Sequence, residues 1–281
     1  MSESATLTES GLAGIGQDEY EFIRKVVYEH SRINLGAEKK ALVSARVAKR
    51  LRALKLPAFD IYCRYLQGPK GRQETPFLVE AISTNHTYFF RESRHFDFLR
   101  NVAAPSWSKH GVRSLRIWSA AGSSGEEPYT IAITLAETLG FDVDWRVLAT
   151  DISVRMLDLG RGAVYSAEKL SHVPGDLQKK YFQRGVGVSD GFFRVKEEIR
   201  RRVDFAQINL LQPTYPFANE FDVVFCRNVM IYFDRETQQA LVEKLSPFVA
   251  RGGYLMIGHS EYLREFEKPF RPVEPSIYQK Q

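Results

Sequence analysis

From Arg113 onward the chain alternates short β-rich runs with helical ones: SLRIWSAA, EEPYTIAITLAETLG, DWRVLATDIS, VRMLDLG, FDVVFCRN, RETQQALVEKLSPFVARGG and YLMIGHSE. Strands separated by helical stretches of this length pair as a parallel sheet with helices on both faces. The expectation is a doubly wound α/β sheet, which places ligand chemistry in the crevice outside the carboxyl ends of the strands. One stretch, 165–204, breaks the rhythm. Within it GFFRVKEEIRRRVDF alternates like an antiparallel hairpin and reads as an insertion.

The first part of the chain follows a different period. Residues 1–15 are rich in Ser, Thr and Gly and are expected as a mobile tail. Over 16–83 apolar residues recur at helical spacing: Phe22, Ile23, Val26 and Val27, then Val43, Val47, Leu51 and Leu54, then Phe59, Tyr62, Tyr65 and Leu66. This predicts a small all-helical domain, with 84–91 as a linker and 92–281 as the α/β domain. With 281 residues, 44% of them hydrophobic, the chain can bury two cores. No apolar run is long enough for a membrane span and the start lacks a basic-then-apolar leader, so a cytoplasmic location without membrane insertion is expected. Cys63 and Cys226 lie far apart and outside any ligand spacing, so neither a disulfide nor a metal is expected.

Four strand ends can be read. After the first comes Ala120-Ala121-Gly122-Ser123-Ser124-Gly125, a glycine turn running into a helix that opens with Glu126 and Glu127. A pyrophosphate at that helix start would meet two carboxylates. After the second strand stands Asp151, about 25 residues on, where an acidic side chain reaches the hydroxyls of an adenosine ribose. After the third, Asn209 and Leu210 offer an amide and an apolar wall to a base. After the fourth, Arg227, Asn228 and Tyr232 reach the mouth.

Each residue also has a plain structural reading. Glu126 and Glu127 can complement a helix dipole with Ser123 or Ser124 capping, Asp151 can cap the next helix, and Cys226 reads as a small buried hydrophobe. What separates the readings is the coincidence of acidic and amide residues at successive strand ends. Together they describe an adenosine pocket without a phosphate site, suited to a nucleoside whose remaining charge is positive. S-adenosylmethionine, with a sulfonium and an ammonium against one carboxylate, meets that requirement.

The runs NHTYFFRESRHF, RIWSAAGSSGEEPYTIAI, ATDIS, INLLQP, FDVVFCRNVMIYFD and GGYLMIGHSE, in this order, closely resemble the CheR family of chemotaxis receptor methyltransferases. The resemblance spans nearly the whole chain after the tail. It implies a helical N-terminal domain followed by a class I, Rossmann-like methyltransferase domain carrying a three-stranded antiparallel subdomain. The implied activity is transfer of a methyl group from S-adenosylmethionine to glutamate side chains on the cytoplasmic helices of chemoreceptors, leaving S-adenosylhomocysteine. Carried over by residue, the resemblance implies that Asn85, Thr87 and Arg91 line the donor site, that Glu126 and Asp151 hold the methionine and ribose portions, and that Asn209 and Leu210 flank the adenine. Arg227, Asn228 and Tyr232 complete the pocket. In some members the insertion binds a peptide from the receptor's C-terminus.

A glutamate acceptor is ionised at neutral pH, so attack on the methyl group needs no general base. Arg91 is the candidate to steer the carboxylate and Tyr232 to pack beside the methyl. In EKKALVSARVAKRLRALK, Lys39, Arg46, Lys49 and Arg50 fall within an arc of roughly 100° beside the apolar stripe, a candidate surface for acidic receptor helices. A monomer is expected. The nearest rival, a nucleic-acid methyltransferase, would share fold and basic helix, but no D-P-P-Y type motif and no Pro-Cys nucleophile is present. A dehydrogenase conflicts with Glu126 and Glu127. A non-enzymatic adaptor that keeps the pocket as a sensor conflicts with the retention of all the pocket positions.

Overall fold

The structure is a computed structural model and describes residues 14–263 and 269–281. Most of the expected tail, 1–13, lies outside the described residues. The chain divides into two compact units: one made of the N-terminal part to Thr84 with Tyr232–Asp234, the other of Asn85–Ile231 with Arg235–Gln281.

Among the described residues the first unit holds four α-helices: α1 (Gln17–Ser31), α2 (Lys40–Leu54), α3 (Phe59–Gln67) and α4 (Gly71–Ile82). The spacing predicts the first three, and most of its positions are buried, with Phe22, Val26, Leu54 and Tyr65 half-buried. Ile23, Val27, Val43, Val47, Leu51, Phe59, Tyr62 and Leu66 form the core, joined by Leu78 and Ile82 from α4.

In the second unit α5 (Arg94–Phe98) and α6 (Ala104–Lys109) lead into β1 (Ser114–Ser119), α7 (Glu126–Leu139), β2 (Asp144–Asp151) and α8 (Val154–Gly162). Then come β3 (Val164–Ser166), α9 (Gly175–Tyr181), β4 (Phe182–Arg184), β5 (Phe192–Val195), α10 (Glu197–Arg200) and β6 (Val203–Gln207). The chain ends with β7 (Phe221–Cys226), α11 (Arg235–Leu245), β8 (Val249–Ile257), β9 (Phe270–Glu274) and β10 (Ile277–Lys280). Seven strands form one sheet in the order β6-β2-β1-β7-β8-β10-β9. The five from β6 to β8 run parallel, and β10 runs antiparallel to both of its neighbours. The order reverses between β1 and β7, so the ligand crevice of such a sheet falls at their carboxyl ends.

The stretch read as one hairpin divides. Phe192–Val195 is the centre of a small antiparallel sheet of order β3-β5-β4, whereas Val203–Gln207 is an edge strand of the main sheet. Between them Glu197–Arg200 turns as a helix, since Glu-Glu-Ile-Arg favours one and buries only Ile199. Asn85–Arg91, expected as a linker, packs within the second unit, where Phe89 is fully buried against Tyr165 and Phe182.

Trp118 on β1 shows how the strand ends are fixed. Its indole N–H donates to the Thr150 hydroxyl at 2.9 Å, which donates on to the Ala120 carbonyl at 3.0 Å. Tyr215, Phe217 and Phe221 close around the ring, so the last residues of β1 and β2 are held in register by aromatic packing and a buried polar chain.

Candidate functional site

The glycine turn is built from its own amides. Ser123 takes φ 47 and Gly125 φ 99, left-handed values that a glycine accepts freely and a serine only under constraint. The constraint is visible: the Ser123 amide donates to Asp151 Oδ2 at 2.9 Å and its hydroxyl to the Asn85 carbonyl at 3.4 Å. Asp151 also accepts from the Ser153 amide at 2.9 Å. It is therefore not the cap of α8; Ser153 is, accepting from the Met156 amide. Ile208 donates its amide to the Asp151 carbonyl at 3.1 Å, which brings Asn209 and Leu210 to the same end of β2. The Asn209 side chain accepts from the Leu211 amide, and the Leu210 carbonyl accepts from the Tyr215 hydroxyl.

The two glutamates opening α7 separate at this point. Glu126 is fully buried, its Oε2 accepting from the Ser124 hydroxyl at 2.6 Å and its Oε1 from the Lys169 ammonium. Glu127 faces the switch point. It accepts from Ser119 Oγ at 2.7 Å at the end of β1 and from Arg227 Nη1 at 2.8 Å at the end of β7. Neither serine caps the helix through its side chain, since the residue before α7 is Gly125.

Arg227 is the hub of the second cluster. Its buried guanidinium donates to Glu127, to the Arg91 carbonyl and to Glu92 Oε2 at 3.1 Å. Glu92 accepts further from Asn228 Nδ2 at 3.0 Å and from the His259 amide at 3.2 Å. Burial works against the charge on Glu92, but these bonds outweigh it and hold its carboxyl below the ordinary value. Glu261 collects the backbone amides of Gly258, Asn228 and Ile231. Phe90 and Glu92, on either side of Arg91, and Asn228, next to Arg227, have positive φ, so strained backbone flanks this cluster. Arg91 itself is half-buried, donating from Nη1 to the His86 carbonyl at 2.6 Å and lying 5.8 Å from the Tyr88 ring. Thr87 is half-buried in the same segment.

Glu92, His95 and His259 place candidate metal-ligand atoms within 4.8 Å of one another. Glu92 Oε2, 3.8 Å from His95 Nδ1, already accepts from Arg227, a cation that a metal ion there would have to displace. His95 is fully buried, and burial, reinforced by Arg227, lowers its pKa to about 3 and keeps it neutral. Cys226 is likewise buried and its thiol is pushed well up by desolvation, as befits a packing residue.

The structure thus groups Asn85, Glu126, Asp151, Asn209 and Leu210 around the glycine turn, and Arg91, Arg227 and Asn228 at the end of β7. Tyr232 belongs with the helical unit, its carbonyl accepting from the Asn34 amide at 2.8 Å and its ring lying 6.0 Å from the Lys39 ammonium. Glu92, Lys169 and Glu261 are missing from the sequence reading. Glu92 and Glu261 lie inside the runs NHTYFFRESRHF and GGYLMIGHSE, whereas Lys169 lies in none of the quoted runs.

Of the four basic residues of the arc, Lys39 precedes α2 and three lie on it, and Arg46 and Arg50 have internal partners. Arg50 makes a two-pronged bond to the buried Glu74, 2.8 Å on each side, and Tyr62 donates to the same carboxylate. Arg46 donates to the carbonyls of Ile82 and Ser83 and to the Thr84 hydroxyl, satisfying the C-terminal end of α4. Lys49 is exposed and Lys39 half-buried.

A parallel sheet reversing at β1 and β7, with carboxylates and no cation in the β1 loop, defines a nucleoside-dependent transferase of the class I methyltransferase type. Residues 85–278 match the family described as CheR methyltransferase, SAM binding domain, and residues 18–83 match CheR methyltransferase, all-alpha domain. The chain belongs to the CheR methyltransferase family, and S-adenosylmethionine is its methyl donor. It is 42% identical over 263 residues to chemotaxis protein methyltransferase 2 of Pseudomonas aeruginosa, covering 93% of this chain and 92% of that one. It is 40% identical to the chemotaxis protein methyltransferase of Borreliella burgdorferi over 95% of each chain. To that of Escherichia coli it is 38% identical, over 91% of this chain and 88% of the other. Among the described residues no helix is long and apolar enough to cross a membrane.

Proposed function

We infer that this chain esterifies glutamate side chains on the cytoplasmic helices of chemoreceptors, with S-adenosylmethionine supplying an electrophilic methyl group. The named relatives act in chemotaxis, which supports the receptor as partner. The observation that carries the donor reading is the pairing of buried carboxylates, Glu126 and Asp151, at the ends of neighbouring strands. Asp151, set by Ser123 and Ser153, faces the ribose; Asn209 and Leu210 flank the base; Glu126 takes the ammonium end of the methionine portion.

The acceptor glutamate is ionised at pH 7, its reference pKa being near 4.3, so no proton has to be removed before attack. What the protein must do is orient the acceptor and exclude water. Arg91 suits the first task. Its backbone is pinned through Arg227, one N–H is fixed on His86, and a guanidinium has five donors in a planar fork. Its role is positioning, since too strong a ground-state ion pair would slow the reaction.

Lys39 and Lys49 form the receptor-facing positive surface. The small sheet is a second contact, for a receptor C-terminal peptide. The enzyme is cytoplasmic and monomeric in this reading, and its substrates are not nucleic acids.

The test is transfer of tritiated methyl to receptor cytoplasmic fragments, read as base-labile label, with Arg91→Ala alongside. The wild type labels glutamate-bearing fragments, while the variant keeps its melting temperature and loses on the order of a hundredfold in turnover. Label on DNA or RNA and none on receptor fragments would replace this reading with its rival.

A further inference from the structure

Glu126 is a fully buried carboxylate whose only cation among the described residues is Lys169, a residue of the single turn Glu168–Leu170 that follows β3 of the small sheet. A buried charge needs such a counter-ion. The two partners differ sharply in freedom. Glu126 starts α7 and is tethered by Ser124, whereas the Lys169 side chain is 46% exposed, 5.8 Å over the Tyr165 ring and 3.5 Å from Ser124 Oγ. One end of this ion pair is fixed and the other is a flexible ammonium reaching in from solvent.

We propose that Lys169 recognises the carboxylate of the donor's methionine portion, by exchanging partners with it. On the donor reading given above, Glu126 receives the donor's ammonium at the oxygen Lys169 holds. An α-amino acid head group is itself an ammonium and a carboxylate side by side, so the Lys169–Glu126 pair is its complement. The incoming ammonium replaces that of Lys169 on Glu126, and the displaced lysine turns to the incoming carboxylate. One ion pair and one zwitterion become two ion pairs, with no net charge added to the site and none left unpaired. The lysine stem allows the move; the carboxylate stays where α7 and Ser124 hold it.

The experiment titrates three ligands by calorimetry into the full chain and its variants. They are S-adenosylhomocysteine, with both charged groups; its decarboxylated analogue S-adenosyl-3-thiopropylamine, with the ammonium alone; and methylthioadenosine, with neither. Lys169→Met weakens S-adenosylhomocysteine on the order of tenfold or more and leaves the decarboxylated analogue within a few-fold of wild type, so that the preference for a carboxylate disappears. Because the effect is read as a ratio between ligands in one variant, partial loss of fold cancels. Lys169→Arg, which keeps the charge, restores the preference.

Equal weakening of both amine-bearing ligands, or tighter binding of both, would overturn the proposal and reduce Lys169 to a neutralising or competing charge. Glu126→Gln tests the underlying reading separately. It weakens both amine-bearing ligands and spares methylthioadenosine; three unchanged affinities would remove Glu126 from the donor site whatever Lys169 does.

Discussion

Two regions of this chain gather charge, and they use it in opposite ways. At the carboxyl ends of β1, β2 and β7, arginine and carboxylates are sunk among buried groups and satisfy one another, with Arg227 joining Glu92, Glu127 and the Arg91 carbonyl. On α2 Arg46, Lys49 and Arg50 follow one arc of the helix, yet Arg46 and Arg50 turn to internal acceptors while Lys49 stays exposed. A strand end fixes where a side chain sits, so residue type there speaks about chemistry. A helical arc gives only direction, and a neighbouring helix decides whether a charge on it is structural or available.

The comparison is broken most directly at Arg227. Arg227→Ala leaves Glu92 and Glu127, each about 85% or more buried, without their cation. The expected loss is about 3–5 kcal/mol of stability, read as a lower midpoint in urea, since removing one partner of a buried pair leaves an uncompensated charge. An unchanged midpoint would show the cluster to be well solvated.

Asp151→Ala comes next. It weakens S-adenosylhomocysteine by about 1.5–3 kcal/mol, the range for a hydrogen bond to a charged group. It also strips the Ser123 and Ser153 amides of their acceptor, so some loss of melting temperature accompanies it. Asp151→Asn retains one acceptor oxygen and separates the two effects: it keeps more of the fold than of the affinity. If affinity follows melting temperature through both variants, Asp151 only shapes the turn.

How much of this could be read beforehand follows the same division. The doubly wound sheet was legible because β-rich and helical runs differ in period, and Asp151, Asn209 and Arg227 because each sits at or just after the end of such a run. The hairpin over GFFRVKEEIRRRVDF was misread because both flanks alternate; the helical turn at Glu197–Arg200 between them is too short to show a period of its own. The partners were not legible at all. Glu74 is 24 residues from Arg50 and Lys169 is 43 from Glu126, separations at which no periodicity or spacing rule operates.

His95 provides a smaller effect, spread over pH. Its pKa falls to about 3 in the folded chain against roughly 6.5 unfolded, so between those values the unfolded chain binds the extra proton. The stability this group contributes is complete above about pH 6.5 and drains away as pH falls, at up to about 1.4 kcal/mol per pH unit. The charged neighbours are Arg227, which opposes protonation, Glu92, which favours it, and His259, which opposes it. Urea midpoints at pH 7 and pH 5 therefore differ by more in the wild type than in His95→Leu. Equal differences would mean that His95 is hydrated in the folded state.

The smallest effect belongs to Lys49, and it separates the two kinds of charge on one helix. Lys49→Glu touches no internal acceptor, so folding and donor affinity stay as in the wild type. Acidic receptor helices then meet a negative charge where they met a positive one, and because steering by exposed charge acts on association, the Michaelis constant for receptor fragments rises a few-fold while turnover holds. The difference shrinks as salt is added, since the screening length is about 8 Å at physiological ionic strength. Arg50→Glu is the opposing control. It sets a carboxylate against Glu74, which is 4% exposed, and it lowers the melting temperature of the helical unit whatever the salt. Reversing Arg46, Lys49 and Arg50 together would therefore confound recognition with folding. A Michaelis constant that ignores Lys49→Glu at low salt would leave the arc of Arg46, Lys49 and Arg50 without a role in recognition, and that arc would be a device for holding α4 in place.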